Sequence, residues 1–537
     1  MQKVVSLCKR RGFVFQSSEI YGGLKSAYDY GPLGVELKRN LMNEWWRRTV
    51  HEREDVVGID ASIIMHPKVW AASGHLSGFA DPLVDDLVSK ERFRADKAPR
   101  PEPGSELPIT CPDKKLAETY RDAIEERFGV RLRKEGKVLK GLKVIDEASV
   151  GFFEEEGAEP AKTFPYRGYV SPLLGSPFLS DERQFNLMFR TQMGAVDVLD
   201  RLARFSAESS NASAKELREG IESIIKESAV YLRPETAQAM FVQFNNVQQT
   251  MSMKVPFGIA QMGKSFRNEI TVEHFIFRSV EFEQMELEYF CEPGTQLEWL
   301  EYWRTQRLDW WRSYANEPDK FRTREHDAGE LAHYADKTYD IEYDYPWGWD
   351  ELEGVASRTN YDLSKHQEHS GTKLGYFDQQ KTDPETGKNG WRYLPYVVEP
   401  AAGATRGVLV YLLDAYREET VPDAKGGEST RTVLKLHPKL APIKAAVLPL
   451  VKKDGMPEAA RKVVDQFFKA GISARFDEQH AIGKRYRRHD EAGTPYCITV
   501  DGQTLTDQTV TIRDRDTMEQ TRIPADEAVA VVRKRLS

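Results

Sequence analysis

Only four cysteines occur in 537 residues, Cys8, Cys111, Cys291 and Cys497, and no two are spaced as C-x-x-C. That spacing excludes a disulfide framework and a ready-made zinc site, and leaves buried free thiols as the expectation. No run of about 18 apolar residues is present, so no membrane span is expected. Lys3, Lys9, Arg10 and Arg11 crowd an N-terminus with few apolar residues, which lacks the hydrophobic region of a signal peptide. The chain therefore reads as cytoplasmic. Positive charge is not in excess either: 76 Lys and Arg against 84 Asp and Glu leave a net charge of -8. This argues against a general coating of nucleic acid and leaves room only for a local basic surface.

What is present is ordinary globular material, 40% hydrophobic and 30% charged, in a chain long enough for roughly three or four domains. Leu37, Leu41 and Trp45 recur at helical spacing, and a strand is expected over residues 57–63. Residues 95–228 turn charged and irregular, with a Pro-rich stretch at 98–108 and a polar, helix-prone insert at 197–226. They read as insertions rather than core. Strand patterns return over 231–416, interrupted by a Trp-rich helix at 298–314. After a polar linker at 421–432 comes a strand, helix, strand, basic helix, two strands and a last helix. That alternation predicts a compact α/β domain with a largely parallel sheet.

Gly258 to Ser265 fits the phosphate-binding pattern G-x-x-x-x-G-K-[ST], but a helix must follow the Ser. The residues after it, Phe266-Arg267-Asn268-Glu269-Ile270-Thr271-Val272, favour a strand. As a strand, residues 264–270 present Ser265, Arg267 and Glu269 on one face, and the return strand presents Phe282, Gln284, Glu286 and Glu288. A hairpin gathering Arg and carboxylates is costly as core, because charges are rarely buried unpaired. It is either a solvated face with cross-strand salt bridges or a site. Arg406, near the start of an apolar helix, is placed where the helix dipole disfavours a cation by roughly 0.3–1 kcal/mol. A polyphosphate would offset that, and so would a carboxylate such as Glu399.

Phe266-Arg267-Asn268-Glu269 followed by a loop and Glu281-Phe282-x-x-x-Glu286 resembles motif 2 of class II aminoacyl-tRNA synthetases, in the form seen in the glycyl enzymes. Glu399-Pro400-Ala401-Ala402-Gly403-Ala404-Thr405-Arg406 resembles motif 3, and Tyr28 to Gly34 with its helix resembles motif 1, a dimer-interface element. Arg233-Pro234-Glu235-Thr236-Ala237-Gln238 and Trp349 to Arg358 resemble two further segments of the same family. The resemblance implies an α+β catalytic domain with an antiparallel sheet over residues 1–94 and 229–420, insertions at 95–228, and an α/β anticodon-binding domain at 437–537.

It also implies a reaction: ATP-dependent formation of glycyl-adenylate and transfer of glycine to the 3′ end of tRNA(Gly) by a homodimer. Arg267, Arg406 and Glu399 would be catalytic. ATP would meet Arg267, Asn268, Glu269, Phe277, Arg278, Phe282, Glu351, Leu352, Gly403 and Arg406. Glycine would meet Arg94, Glu235, Phe282, Glu286, Arg358, Glu399, Ala401 and Gly403. Glu351 and Glu399 would serve the Mg²⁺ that accompanies ATP, and Lys484, Arg485, Arg487 and Arg488 the anticodon. Many family members carry Ser at the position of Ala401. Cys111-Pro112 resembles half of a zinc-binding segment with Asp113-Lys114 where its partner would be, so no zinc is expected. A glycosylation acceptor pattern at Asn211-Ala212-Ser213 has no use in a cytoplasmic chain.

Overall fold

The computed structural model describes residues 1–537 except 156, 196, 211, 270–273, 423–426 and 537. Asn211, and Ile270 to Val272 of the predicted strand, lie outside the described residues. Two units are resolved, one comprising residues 1–73, 190–267 and 274–537, the other residues 74–189 and 268–273.

The first unit is built on seven strands: β1 (Val56–Gly58), β2 (Phe257–Phe266), β3 (Glu281–Cys291), β4 (Phe321–Glu325), β5 (Lys337–Tyr345), β6 (Gly348–Thr359) and β7 (Tyr396–Gly403). Their order is β4-β5-β6-β7-β3-β2-β1. Every pairing is antiparallel except that of β1 with β2. Alternation along each strand separates two faces. One carries Met285, Leu287, Tyr289, Ile341, Val355, Val398 and Ala402, all buried in the main core. Helices α1 (Pro32–Trp46), α2 (Gln296–Arg312) and α3 (Ala404–Ala415) cover this face through Leu37, Leu41, Trp45, Trp303, Trp311 and Val408. Burying a Leu or Val fully is worth about 1.5–3 kcal/mol each, so the helical stripe predicted at Leu37, Leu41 and Trp45 is what clamps α1 to the sheet.

A buried ion pair lies on that covered face. Glu353 accepts from Arg307 Nε at 2.7 Å and from the Trp311 indole, and both charged groups are fully buried. Removing either partner would leave the other unpaired in a dry core, a cost of about 3–5 kcal/mol.

Several expectations need correction. The strand expected over 57–63 stops at Gly58, and a separate short strand takes Ile64–Met65. At Gly58 an added Cβ would strike Trp46. The predicted strand through residue 270 ends at Phe266; Arg267 N still donates to Val280 O at 3.0 Å, beyond the last ladder pair. Gly258 to Ser265 is continuous strand, and Arg267 to Glu269 after it are not helical, so the phosphate-loop geometry is not formed. The polar linker is instead a hairpin of β8 (Tyr416–Pro422) and β9 (Glu428–Leu434). The terminal domain has a mixed sheet: β10 (Ala445–Pro449) lies parallel to β11 (Ala474–Phe476) and β12 (Tyr496–Val500), while β13 (Thr509–Asp514) and β14 (Gln520–Pro524) are antiparallel. Its helices are α4 (Met456–Lys469), α5 (Ile482–Ala492) and α6 (Ala528–Leu536).

The second unit also departs from expectation. It begins near residue 74 rather than 95, and residues 88–178 contribute a hydrophobic core of their own. Ile109, Ile124, Leu139, Val150 and Phe178 are buried there. Phe128 stacks on Phe178 with ring centroids 4.2 Å apart. The helix Lys114–Phe128 packs there against strands of only two to five residues, which are too short to print a clear period in the sequence.

Candidate functional site

The opposite face of the seven-stranded sheet is packed in part by the helices Ala237–Val242 and Phe244–Thr250 and is polar at its centre. Register decides what meets there. Gln284 pairs with Gly403 and Glu286 with Ala401, and on the other side of β7 Ala401 pairs with Gly354 and Glu399 with Ala356. Glu286, Ala401 and Gly354 thus form one row across three strands. A Cβ at Gly354 would meet nothing within 4 Å, so the row has a carboxylate at one end and open space at the other. The same register, continued from Glu286 to Tyr289 opposite Val398, sets Glu288 directly against Glu399.

Glu286 is buried and accepts from Thr236 N at 3.0 Å and from the Thr236 hydroxyl. Burial, reinforced by Glu399 and Glu235, pushes its carboxyl up to about 8. Glu235 accepts from Gln238 Nε2 at 3.0 Å. The same amide nitrogen donates to Asp362 at 3.0 Å, while Gln238 Oε1 meets His366 Nε2 at 2.8 Å. With the amide nitrogen turned to two carboxylates, the carbonyl must accept, which places the imidazole proton on Nε2. Asp362 in turn holds Arg358, taking Nε at 2.8 Å and Nη2 at 3.1 Å, and Arg358 Nη1 reaches Glu399. The Tyr334 ring lies over the guanidinium, 4.0 Å from its centroid. Three of the five N–H groups of Arg358 are so engaged, and two are left for a ligand.

A second cluster gathers near the start of α3. Arg406 Nη1 lies 3.0 Å from Glu351 Oε2 and donates to the Glu351 carbonyl at 3.2 Å. Its guanidinium rests on the Phe277 ring at 4.5 Å. The positive field of Arg406, with Arg267 and Arg278 adding to it, holds the Glu351 carboxyl below its ordinary value. Arg267 Nε donates to Pro234 O at 3.0 Å and its guanidinium lies 5.4 Å from the Phe282 ring. α3 has no side-chain cap at Gly403, so its first N–H groups are available to an anion. Glu351 faces this cluster because β5 and β6 shift register between Ile341 and Glu342. The bulge turns Glu351 to the face opposite Glu353.

Four expectations are altered. Arg406 takes Glu351, not Glu399, as its carboxylate. Glu351 and Glu399 do not sit together: Glu399 is opposite Ala356, five residues along β6 from Glu351, roughly 17 Å at the rise of a strand. One magnesium ion at about 2 Å from its ligands cannot take both, and Glu399 already carries Arg358. Leu352 is buried in the core and has only its backbone to offer ATP. Arg485 is buried and donates to the carbonyls of Pro449, Leu450 and Asp477, which removes it from any RNA surface. Of its neighbours on α5, Arg488 makes two bonds to Asp477 and Arg487 one to Ser429, while Lys484 is exposed.

Arg94, Asn268 and Glu269 belong to the second unit. Arg94 pairs there with Asp81 at 2.9 Å and Asp96 at 2.7 Å. Thr236, Gln238, Asp362 and His366 were not anticipated from sequence. Thr236 and Gln238 lie in a segment read only for its Glu, and Asp362, four residues after Arg358, was the available signal. Glu286, Glu288 and Glu399 bring carboxylate oxygens within 4.8 Å of one another, but Glu399 already carries Arg358, which suits an organic cation better than a metal.

Residues 444–535 match the anticodon binding domain family. Over 533 residues the chain is 43% identical to a protein named glycine-tRNA ligase from Treponema denticola, covering 99% of this chain and 96% of that one. A glycine-tRNA ligase from Staphylococcus saprophyticus is 46% identical, with coverages of 98% and 97%. One from Geobacillus thermodenitrificans is 44% identical, with 100% and 98% covered.

Proposed function

The chain belongs to the family of glycine-tRNA ligases, and from that premise we propose which of its residues carry each part of the reaction. The enzyme activates glycine with ATP and charges tRNA with it. The seven-stranded antiparallel sheet is read as the class II synthetase core. Its two clusters divide the substrates: Glu235, Glu286 and Glu399 take the glycine ammonium, and Arg267, Arg278 and Arg406 take the triphosphate. The observation that carries this reading is the shared strand β7, which bears Glu399 in one cluster and leads into Arg406 in the other.

Activation needs no protein nucleophile. The glycine carboxylate attacks the α-phosphorus in line while Arg267 and Arg406 stabilise the charge on the phosphoryl oxygens and on leaving pyrophosphate. Positioning supplies much of the acceleration. Arg358 offers its two remaining N–H groups to the glycine carboxylate, and Phe282 offers its ring to adenine. Glu351 is an ionised oxygen ligand of the kind Mg²⁺ prefers. The ion would add charge neutralisation at the phosphates. No zinc is assigned. In the second step the terminal ribose hydroxyl of tRNA attacks the adenylate carbonyl.

Selection of glycine is assigned to the walls of the pocket, since the ammonium recognised by the carboxylates is common to all amino acids. Side chains larger than hydrogen are rejected by clash, which discriminates more strongly than the roughly 1–3 kcal/mol contributed by a missing methylene. Residues 444–535 are assigned to the anticodon stem. A homodimer in the cytoplasm is part of the same reading, supported by the exposed apolar Ile20 and Tyr21 beside the α1 segment. ATP-pyrophosphate exchange against each of the twenty amino acids, with Arg267→Ala alongside, tests the assignment. Glycine-only exchange that collapses in the variant supports it, and exchange that survives overturns the role of Arg267.

A further inference from the structure

Glu288 has no role in the scheme above, yet it is fully buried in the middle of the amino-acid cluster. No donor among the described residues reaches either of its carboxyl oxygens. The group that does approach it is another acid. β3 and β7 set Glu288 opposite Glu399, and carboxyl oxygens of the two lie within 4.8 Å. Two ionised carboxylates directly opposite on a buried ladder repel strongly, and neither can donate to the other unless one holds a proton.

We propose that Glu288 is a neutral carboxylic acid whose hydroxyl donates a hydrogen bond to the Glu399 carboxylate. It acts as a positioning residue that aims Glu399 at the substrate ammonium. The proton belongs on Glu288 because the surroundings are uneven. Arg358, whose cation lies against Glu399, favours the charge there. Glu288 faces the uncharged Ile259 across the β2–β3 ladder, has Glu286 two residues away, and takes no hydrogen bond from any cation among the described residues. The charged and titratable groups facing the pair are Glu286 from β3, Glu235 near Thr236, Arg358 from β6, Asp362 after it, and Tyr334. Burial and Glu399 move the Glu288 carboxyl well above its ordinary value, while Glu399, also raised by burial, is held back by Arg358 and by the hydrogen bond from Glu288.

The arrangement sets the charge of the pocket. With Glu288 neutral, Glu399 is shared between the Arg358 cation and the incoming ammonium, and no second buried anion is left unpaired behind it. Ionised, Glu288 would add an uncompensated charge, costly to bury.

The inference rests on assigning this cluster to the glycine ammonium, and the two fail separately. In full-length enzyme, Glu288→Gln keeps a neutral donor of the same length, and Glu288→Leu keeps volume but no donor. For Glu288→Gln, KM for glycine in ATP-pyrophosphate exchange should stay within about threefold of wild type at pH 7.5, while Glu288→Leu should raise it about tenfold or more, with KM for ATP unchanged in both. An infrared difference spectrum between wild type and Glu288→Gln should contain the C=O band of a protonated carboxyl at the same pH. A Gln variant as impaired as Leu, a Leu variant like wild type, or the missing band would each overturn the proposal. A band that is present together with an unchanged glycine KM in Glu235→Gln would instead overturn the assignment of the pocket.

Discussion

Arg406, in the first turn of α3, bonds both the carboxylate and the carbonyl of Glu351, 3.0 Å and 3.2 Å away. A single acidic residue thus holds the cation that the helix dipole opposes until a phosphate arrives. Arg406→Ala is expected to lower kcat for glycine-dependent exchange by about a hundredfold to a thousandfold, the magnitude seen when one charge-stabilising donor is lost. Glycine KM should change little. Steady-state exchange over a matrix of ATP and glycine concentrations separates the two, and an effect confined to glycine KM would refute the division into clusters.

Gln238 serves three groups at once, Glu235, Asp362 and His366. Gln238→Leu leaves each with one partner fewer, at about 1–3 kcal/mol per unsatisfied buried group. The expected outcome is a rise in glycine KM of about tenfold with kcat for exchange largely kept. A fall in kcat at unchanged KM would place this network at the phosphates instead.

Ala401 lies in the row between Glu286 and Gly354. Ala401→Ser adds a hydroxyl within the pocket, and one hydrogen bond is worth about 1 kcal/mol. KM for glycine should fall by up to about fivefold, with no gain of exchange on alanine. Equilibrium binding of glycine by calorimetry checks the same point without turnover.

The Glu286 carboxyl is raised from 4.5 to about 8 in the folded protein. A folded-state pKa above the unfolded one means that the folded state binds the extra proton. This contribution to stability is complete below about 4.5 and is lost as pH rises towards 8. Ligand-free enzyme should therefore lose Tm over this range more steeply than Glu286→Gln. Differential scanning calorimetry at several pH values decides it, and parallel curves would remove Glu286 as the cause.

On α5, Arg485 and Lys484 should behave oppositely. Arg485→Met strips donors from three buried carbonyls and is expected to lower Tm by several degrees while leaving exchange at 25 °C intact. Lys484→Ala should leave Tm unchanged and weaken tRNA binding, with a salt slope shallower by about one. Thermal melts and binding at graded salt test the pair.

Much of the catalytic sheet was legible because its long strands alternate cleanly. Phe282, Gln284, Glu286 and Glu288 were placed on one face from spacing alone, and the ladder keeps them there. The apolar stripe of α1 was equally plain. What the pattern could not reveal were events set by tertiary pairing. The bulge between Ile341 and Glu342 exists only against β6, and without it Glu351 would share the buried face of Glu353. Arg485 looked like its basic neighbours, since burial beneath three carbonyls depends on a loop from elsewhere in the chain. The hairpin of β8 and β9 is polar enough to pass for a linker. Its place is set partly by Arg431, which donates to Glu419, to the Arg515 carbonyl and to Asp490.

The strand β7 has a consequence for how the reaction is timed. From Glu399 to Gly403 the chain is a paired strand, about 13 Å long, so the span between the two clusters is a fixed ruler. Loops at either end can open and close for substrates to pass without altering that length. A one-residue deletion inside β7 would invert which side chains face the substrates and silence the enzyme outright, whereas the same deletion in a surface turn would only slow the traffic through it.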